Sequence, residues 1–113
     1  MAVTPDGRRA VSGSFDNTLK IWDLKTGHEE CTLAGHSNWV NAVTVTPDGS
    51  RVISASKDCT LRVWDLEKGQ EMAMIALDSG LWHVAIVSDG TTILVGDTAG
   101  NIYCLRYVDP HAL

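Results

Sequence analysis

The sequence predicts an all-β fold made of repeated antiparallel sheets. Three observations support this: the chain matches itself at a spacing of 42 residues, its residues alternate in character at period two, and turn residues bound each short run. Thr18–Leu24 (TLKIWDL) returns as Thr60–Leu66 (TLRVWDL), and Pro5-Asp6-Gly7 returns as Pro47-Asp48-Gly49. Self-similarity at a fixed period indicates an architecture in which each copy is one supersecondary unit.

A third, weaker copy follows at a spacing of 41 residues. Asp48-Gly49 corresponds to Asp89-Gly90, and Ile53 corresponds to Leu94. The chain is therefore predicted to form one partial domain over residues 1–113. Its three repeats are expected at about 1–34, 35–77 and 78–113.

Each repeat contains alternating runs that predict strands. Residues 18–22 and 61–64 alternate at period two, which favours β structure. Pro-Asp-Gly at 47–49, Asp-Gly at 89–90 and Ala-Gly at 99–100 predict tight turns, because glycine tolerates positive φ. The predicted strands are a stub near 2–4, then 9–14, 18–23, 29–34, 40–46, 51–56, 60–65, 70–76, 82–87, 92–96 and 101–107. The third unit lacks a fourth, outer strand in this scheme.

Four strands per unit at a period of 40–45 residues resembles the WD40 β-propeller family. The second repeat carries the family's GH…D…WD pattern as Gly35-His36, Asp58 and Trp64-Asp65. The first repeat carries Asp16 and Trp22-Asp23 and has no Gly-His of its own.

The third repeat departs from that pattern. It has Ser79-Gly80 for Gly-His, Ala99 for the turn aspartate and Leu105-Arg106 for Trp-Asp. The resemblance is therefore strong over two repeats and weak over the third. It implies nearly three four-stranded antiparallel propeller blades, which form an incomplete ring in one chain.

His36, Ser54 and Asp58 have the residue types of a nucleophilic triad. The same serine and aspartate recur in the first repeat without a local histidine, and a catalytic site has no reason to recur once per repeat. We therefore expect no enzymatic activity. The family resemblance implies a structural hydrogen-bond network instead, made by His36, Ser54, Asp58 and Trp64 and, in the first repeat, by Ser12, Asp16 and Trp22.

The family resemblance also implies a partner-binding top face. Its candidates are Phe15, Trp39, Asn41, Lys57 and Trp82. Large aromatic side chains on a polar rim are typical of interaction hot spots. The alternative is that Trp39 and Trp82 fill gaps between blades.

Composition excludes several other classes of function. The net charge is −5, and the nine lysines and arginines are mostly scattered singly, which argues against nucleic-acid binding. The first seven residues lack the basic and apolar regions of a signal peptide, so none is expected, and no apolar stretch is long enough to cross a bilayer. Three irregularly spaced cysteines favour reduced thiols and a cytoplasmic location, and no metal or cofactor is expected.

Eleven strands cannot close a propeller of four to eight blades, so both end blades would be exposed. In one interpretation the chain is the C-terminal end of a longer protein, because Pro110 in the tail over 107–113 stops the last strand. The last repeat is similar to closing blades of bacterial WD40 regions that follow a nucleotide-binding switch domain in signalling proteins. The chain would then be a non-catalytic interaction scaffold or sensor.

In the other interpretation two or three copies rebuild a ring. The chain would then be a self-assembling structural repeat with no separate ligand. Its symmetry would be cyclic and head-to-tail, as a homodimer or homotrimer.

Overall fold

The computed structural model describes residues 1–106 as three antiparallel sheets. No helix occurs in this part of the chain, and therefore none that could span a membrane. The all-β fold class is confirmed. The predicted end of the last strand and the stop at Pro110 lie outside the described residues.

The strands follow the predicted order to within about a residue. They are β1 (Ala2–Val3), β2 (Arg9–Gly13), β3 (Thr18–Asp23), β4 (Glu29–Ala34), β5 (Val40–Val45), β6 (Arg51–Ser56), β7 (Thr60–Asp65), β8 (Gln70–Ala76), β9 (Leu81–Ile86), β10 (Thr92–Asp97) and β11 (Ile102–Arg106).

Each sheet is a meander of consecutive strands. The first blade is β1-β2-β3-β4, the second is β5-β6-β7-β8, and the third is β9-β10-β11. Within residues 1–106 the third blade therefore has three strands where the other two have four, as the sequence predicts. The three blades do not close a ring.

The hydrophobic core lies between neighbouring blades, in two layers. Successive residues of a strand point to opposite faces, so each blade can contribute to a layer on either side. In β6, Val52 packs into the layer shared with the first blade, while the adjacent Ile53 packs into the layer shared with the third. The second blade is thus covered on both faces, and each end blade is covered on one.

Two first strands carry an extra residue at the same place. The register of β5 against β6 shifts between Val40 and Ala42, and β9 shifts against β10 beside Leu81. A bulge of this kind re-aims the side chain it contains. Asn41 and Trp82 occupy these two equivalent positions.

Candidate functional site

Four side chains of the second blade form a continuous hydrogen-bonded chain. The Trp64 indole Nε1–H donates to Ser54 Oγ at 2.8 Å, Ser54 Oγ lies 2.6 Å from His36 Nε2, and His36 Nδ1 lies 2.9 Å from Asp58 Oδ2. Tryptophan can only donate and an ionised carboxylate can only accept. The Ser54 hydroxyl therefore donates to Nε2, and the proton of a neutral His36 sits on Nδ1, directed at Asp58.

Protonation in the network follows from burial and hydrogen bonding. Burial lowers the pKa of His36 below its usual 6.5, against the opposing effect of the Asp58 hydrogen bond and charge. For Asp58, burial alone would raise the pKa. Hydrogen bonds from Thr60, His36 and the Ser37 N–H outweigh it and lower the Asp58 pKa to about 2. A neutral imidazole next to an ionised carboxylate is the resulting state at neutral pH.

The network joins four separate segments of the blade. His36 precedes β5, Ser54 lies in β6, Asp58 lies in the β6–β7 turn and Trp64 lies in β7. Ser54 is 0% exposed, and the His36 side chain is also fully shielded from solvent. A hydroxyl without access to solvent cannot attack a substrate, so this geometry supports cross-linking of strands rather than nucleophilic chemistry.

Thr60 also belongs to this cluster, although the sequence analysis did not single it out. Its Oγ1 donates to Asp58 Oδ1 at 2.5 Å and lies 3.2 Å from His36 Nδ1. In the first blade Thr18 makes the same contact with Asp16, at 2.6 Å. The Asp-x-Thr spacing recurs at 42 residues, and this signal could have identified the threonine.

In the first blade only part of the predicted network forms. Trp22 Nε1 donates to Ser12 Oγ at 3.0 Å, as in the second blade. Asp16 differs from its predicted role because it is exposed and accepts hydrogen bonds from the N–H and Oγ1 of Thr18. No histidine within residues 1–106 bridges Asp16 to Ser12, and the carboxylate therefore closes its own turn.

The third blade has a different polar centre, at Asp97. This residue is 7% exposed and accepts hydrogen bonds from the backbone of Ala99, from the backbone and side chain of Asn101, and from the Tyr103 hydroxyl. Sequence reasoning missed it because Asp97 aligns with Ser56 rather than with the turn aspartate. A local turn network thus replaces the long-range one where the family pattern is lost.

Three of the five candidate top-face residues contact one another and form an aromatic patch of Phe15, Trp39 and Lys57. The Phe15 and Trp39 ring centroids are 4.6 Å apart, and Lys57 Nζ lies 4.8 Å from the Trp39 centroid. Phe15 is 73% exposed and Trp39 is 43% exposed. The patch crosses the boundary between the first and second blades, since Phe15 follows β2 while Trp39 and Lys57 flank strands of the second blade.

Asn41 and Trp82 lie outside this cluster of contacts. Asn41 is half-buried, and its Nδ2 donates to the Leu81 carbonyl at 2.9 Å, which joins the second blade to the third. Trp82 is 55% exposed, and its ring lies edge to face with that of His83, with the ring centroids 6.1 Å apart. The bulge in β5 directs Asn41 toward the third blade. Trp82 occupies the equivalent bulge position in β9 of the third blade.

Among residues 1–106 no group of three or more His, Cys, Asp or Glu residues is arranged to hold a metal ion. The three cysteines, Cys31, Cys59 and Cys104, are free thiols.

Comparison with known proteins gives a family match and several curated relatives. The family model described as "WD domain, G-beta repeat" matches residues 1–23 and 27–65. The transcriptional repressor rco-1 of Neurospora crassa is 44% identical over 43 residues, which cover 38% of this chain and 7% of the relative. A Lissencephaly-1 homolog of Branchiostoma floridae is 54% identical over 33 residues, covering 29% of this chain and 8% of the relative. The chain thus spans less than a tenth of the length of these curated relatives.

Proposed function

This chain belongs to the WD40 repeat family, and we propose that it is a non-catalytic module that binds other proteins through the aromatic patch. WD40 repeats are typically protein–protein interaction scaffolds. The observation that carries the proposal is the direct contact of the Phe15 and Trp39 rings, tilted by 39° to each other, while both remain exposed to solvent.

The chemistry of the patch indicates what it would bind. Exposed tryptophan, with a neighbouring aromatic ring, is the type of side chain that dominates binding energy at interfaces. The Lys57 ammonium lies over the Trp39 ring and adds a positive charge to the patch. We therefore expect a partner that places an apolar side chain on Phe15 and Trp39 and a carboxylate near Lys57.

Burial of the polar network supports the non-catalytic part of the proposal. The one serine hydroxyl of the described residues within hydrogen-bond distance of the buried histidine, that of Ser54, is 0% exposed and already bonded to Trp64 and His36. Because solvent cannot reach this hydroxyl, a substrate cannot reach it in this structure either.

We further propose that the module is a segment of a larger cytoplasmic signalling protein. The free thiols of Cys31, Cys59 and Cys104 support a reducing compartment. The expected position after a nucleotide-binding switch domain in a bacterial protein stays a prediction. The absence of nucleic-acid partners, which rests on the charge distribution, and of membrane partners, which rests on the lack of a long apolar stretch, also stay predictions.

Selection of ligands from a displayed peptide library against the purified chain tests the binding site. We expect the selected ligands to bind Phe15→Ala and Trp39→Ala at least about tenfold more weakly, because truncation of a hot-spot aromatic typically costs about 2 kcal/mol or more. Met74→Ala is the matched control, since Met74 is 52% exposed and lies on the outer strand β8. Ligands that bind Trp39→Ala as tightly as the parent chain would rule the patch out.

A second candidate function is self-assembly into a closed ring with no separate ligand. The specific observation is that both end blades expose apolar side chains. Val3 and Leu24 of the first blade are 55% and 46% exposed, and Leu94 and Ile102 of the third are 41% and 79% exposed. Exposed apolar side chains on the same blade favour association with another protein surface.

A further inference from the structure

Three positions in each of the first two blades pack against the blade that follows. They are Val11, Leu19 and Ile21 in the first blade and Ile53, Leu61 and Val63 in the second, all at most 5% exposed. Their counterparts in the third blade, at spacings of 41 residues from the second, are Leu94, Ile102 and Cys104.

These three counterparts form what we call the trailing face. Leu94 is opposite Cys104 in the β10–β11 ladder, and Ile102 is opposite Gly96, so all three side chains share one face of the sheet. The other face holds Ile93, which is buried against the second blade. The trailing face is therefore the unused half of an inter-blade contact.

The first blade carries the other half, which we call the leading face: Val3, Trp22 and Leu24. Their counterparts in the second blade are Val45, Trp64 and Leu66, all of which pack in the layer shared with the first blade.

Exposure shows that the leading face lacks its cover. Leu66 is 5% exposed where Leu24 is 46% exposed, and Trp64 is 2% exposed where Trp22 is half-buried. The Trp22–Ser12 hydrogen bond at 3.0 Å repeats the Trp64–Ser54 bond at 2.8 Å. The side chains are thus already arranged as they are in the covered interface of the second blade.

We propose that the leading face of one copy packs against the trailing face of a second copy of this chain. The proposal rests on the self-assembly candidate above and names its surfaces. Each face is one half of a contact that the chain already makes twice between its own blades, so a second copy supplies the complementary half. The contact would remove the apolar side chains of Leu24, Leu94 and Ile102 from water, which favours association.

Blade number sets the number of copies. Propellers typically close with four to eight blades. Two copies supply six blades and three copies supply nine, so a homodimer fits and a homotrimer does not. The two copies are related by a two-fold axis through the centre of the ring, and the leading-to-trailing contact occurs twice.

Two variants separate this arrangement from others. Ile102→Glu places a charge on the trailing face, and Leu24→Glu places one on the leading face. Both positions are exposed in the single chain, so each variant should keep the far-ultraviolet circular dichroism of the parent. Light scattering should give the mass of a dimer for the parent chain and of a monomer for either variant alone.

Labelling of Cys104 in an equimolar mixture of the two variants tests the polarity of the contact. The intact trailing face of Leu24→Glu meets the intact leading face of Ile102→Glu, so Cys104 should be protected from a thiol reagent only in Leu24→Glu. Mass spectrometry distinguishes the two chains. Equal labelling of both would overturn the head-to-tail contact.

Two further results would contradict the proposed contact. A folded monomer at micromolar concentration overturns the proposal and favours cover by other blades of a longer protein. A dimer that survives in one of the two variants alone overturns it as well, because the contact would then use a single face twice. Phe15→Ala should leave the mass unchanged, so failure of assembly and failure of ligand binding at the aromatic patch are read independently.

Discussion

His36 Nδ1 lies 2.9 Å from Asp58 Oδ2, and both side chains are almost completely excluded from solvent. Asp58 Oδ2 also accepts the backbone N–H of Ser37 at 3.0 Å. One carboxylate oxygen thus holds the loop that enters β5 to the turn between β6 and β7. Loss of the whole carboxylate leaves two buried donors, His36 Nδ1–H and the Thr60 hydroxyl, without this partner.

Asp58→Ala should lower the free energy of unfolding by about 1–3 kcal/mol, the usual cost of an orphaned buried polar group. Asp16→Ala is the matched control, because Asp16 occupies the same turn position in the first blade but is exposed. Asp16→Ala should lower the free energy of unfolding by a clearly smaller amount. Urea unfolding at one protein concentration measures both, and equal losses would contradict a special role for the buried carboxylate.

The His36 pKa predicts a pH dependence of stability. Burial lowers that pKa in the folded chain, so below about pH 6.5 the unfolded chain binds a proton that the folded chain does not. The free energy of unfolding should therefore fall as the pH drops through 6.5, by at most about 1.4 kcal/mol per pH unit, until the folded-state pKa is reached.

Asp58 extends this pH dependence to lower pH. Its pKa of about 2 lies below the ordinary 3.8, so its contribution is present above 3.8 and is lost between 3.8 and 2. Denaturant unfolding from about pH 7.5 to about pH 5 separates the effect of His36, whose ordinary pKa lies in that window, from that of Asp58. His36→Gln should flatten the profile. A profile unchanged by His36→Gln would show that another group titrates.

The repeat spacing was sufficient to predict the strands, because β structure here follows from short alternating runs between turn residues. The predicted stub at 2–4 is the strand Ala2–Val3, and the three-stranded third blade was also expected. Register and bulges depend on contacts between strands. For that reason the sequence could not show that Asn41 donates a hydrogen bond to the Leu81 carbonyl of the next blade, and the top-face position of Asn41 and Trp82 stays a prediction.

The candidate site was predictable where residue type and spacing repeat. Trp64 and Ser54 have counterparts 42 residues earlier, and both pairs form the same hydrogen bond. Burial is not visible in such an alignment, and this explains why Asp16 was grouped with Asp58. Asp97 has no counterpart of its own type, so alignment could not identify it as a polar centre.

Gly13 and Gly96 are equivalent residues that should respond oppositely to substitution. A Cβ on Gly13 would lie 2.8 Å from both the carbonyl oxygen and Cγ1 of Val40, at the boundary between the first and second blades. Gly13→Ala should therefore cost about 1–3 kcal/mol, as overpacking does. A Cβ on Gly96 would meet no atom of the described residues within 4 Å, so Gly96→Ala should be neutral or stabilise by up to about 1 kcal/mol. Thermal and urea unfolding of the pair would contradict this if Gly13→Ala were the more stable variant.

The hairpin turn between the second and third strands of each blade requires a left-handed residue at one position. That residue is Asn17 in the first blade, Cys59 in the second and Gly100 in the third, with φ of 75°, 72° and 89°. Glycine and asparagine adopt this conformation at low cost, whereas a cysteine does so at a cost of about 1–2 kcal/mol. The turn of the second blade is therefore strained where its two counterparts are not.

Cys59→Asn should relieve part of this strain and raise the free energy of unfolding by about 0.5–1 kcal/mol. Asn17→Cys, the reverse change at the equivalent position, should lower it by a similar amount, which makes the two variants controls for each other. Asn17 has a φ of 75° and the Asp16–Thr18 contact around it is 2.6 Å, so asparagine at position 59 should leave the 2.5 Å contact between Asp58 and Thr60 intact. Urea unfolding at fixed pH and protein concentration measures both variants. A loss of stability in Cys59→Asn would show that packing of the thiol stabilises the fold by more than the strained backbone destabilises it.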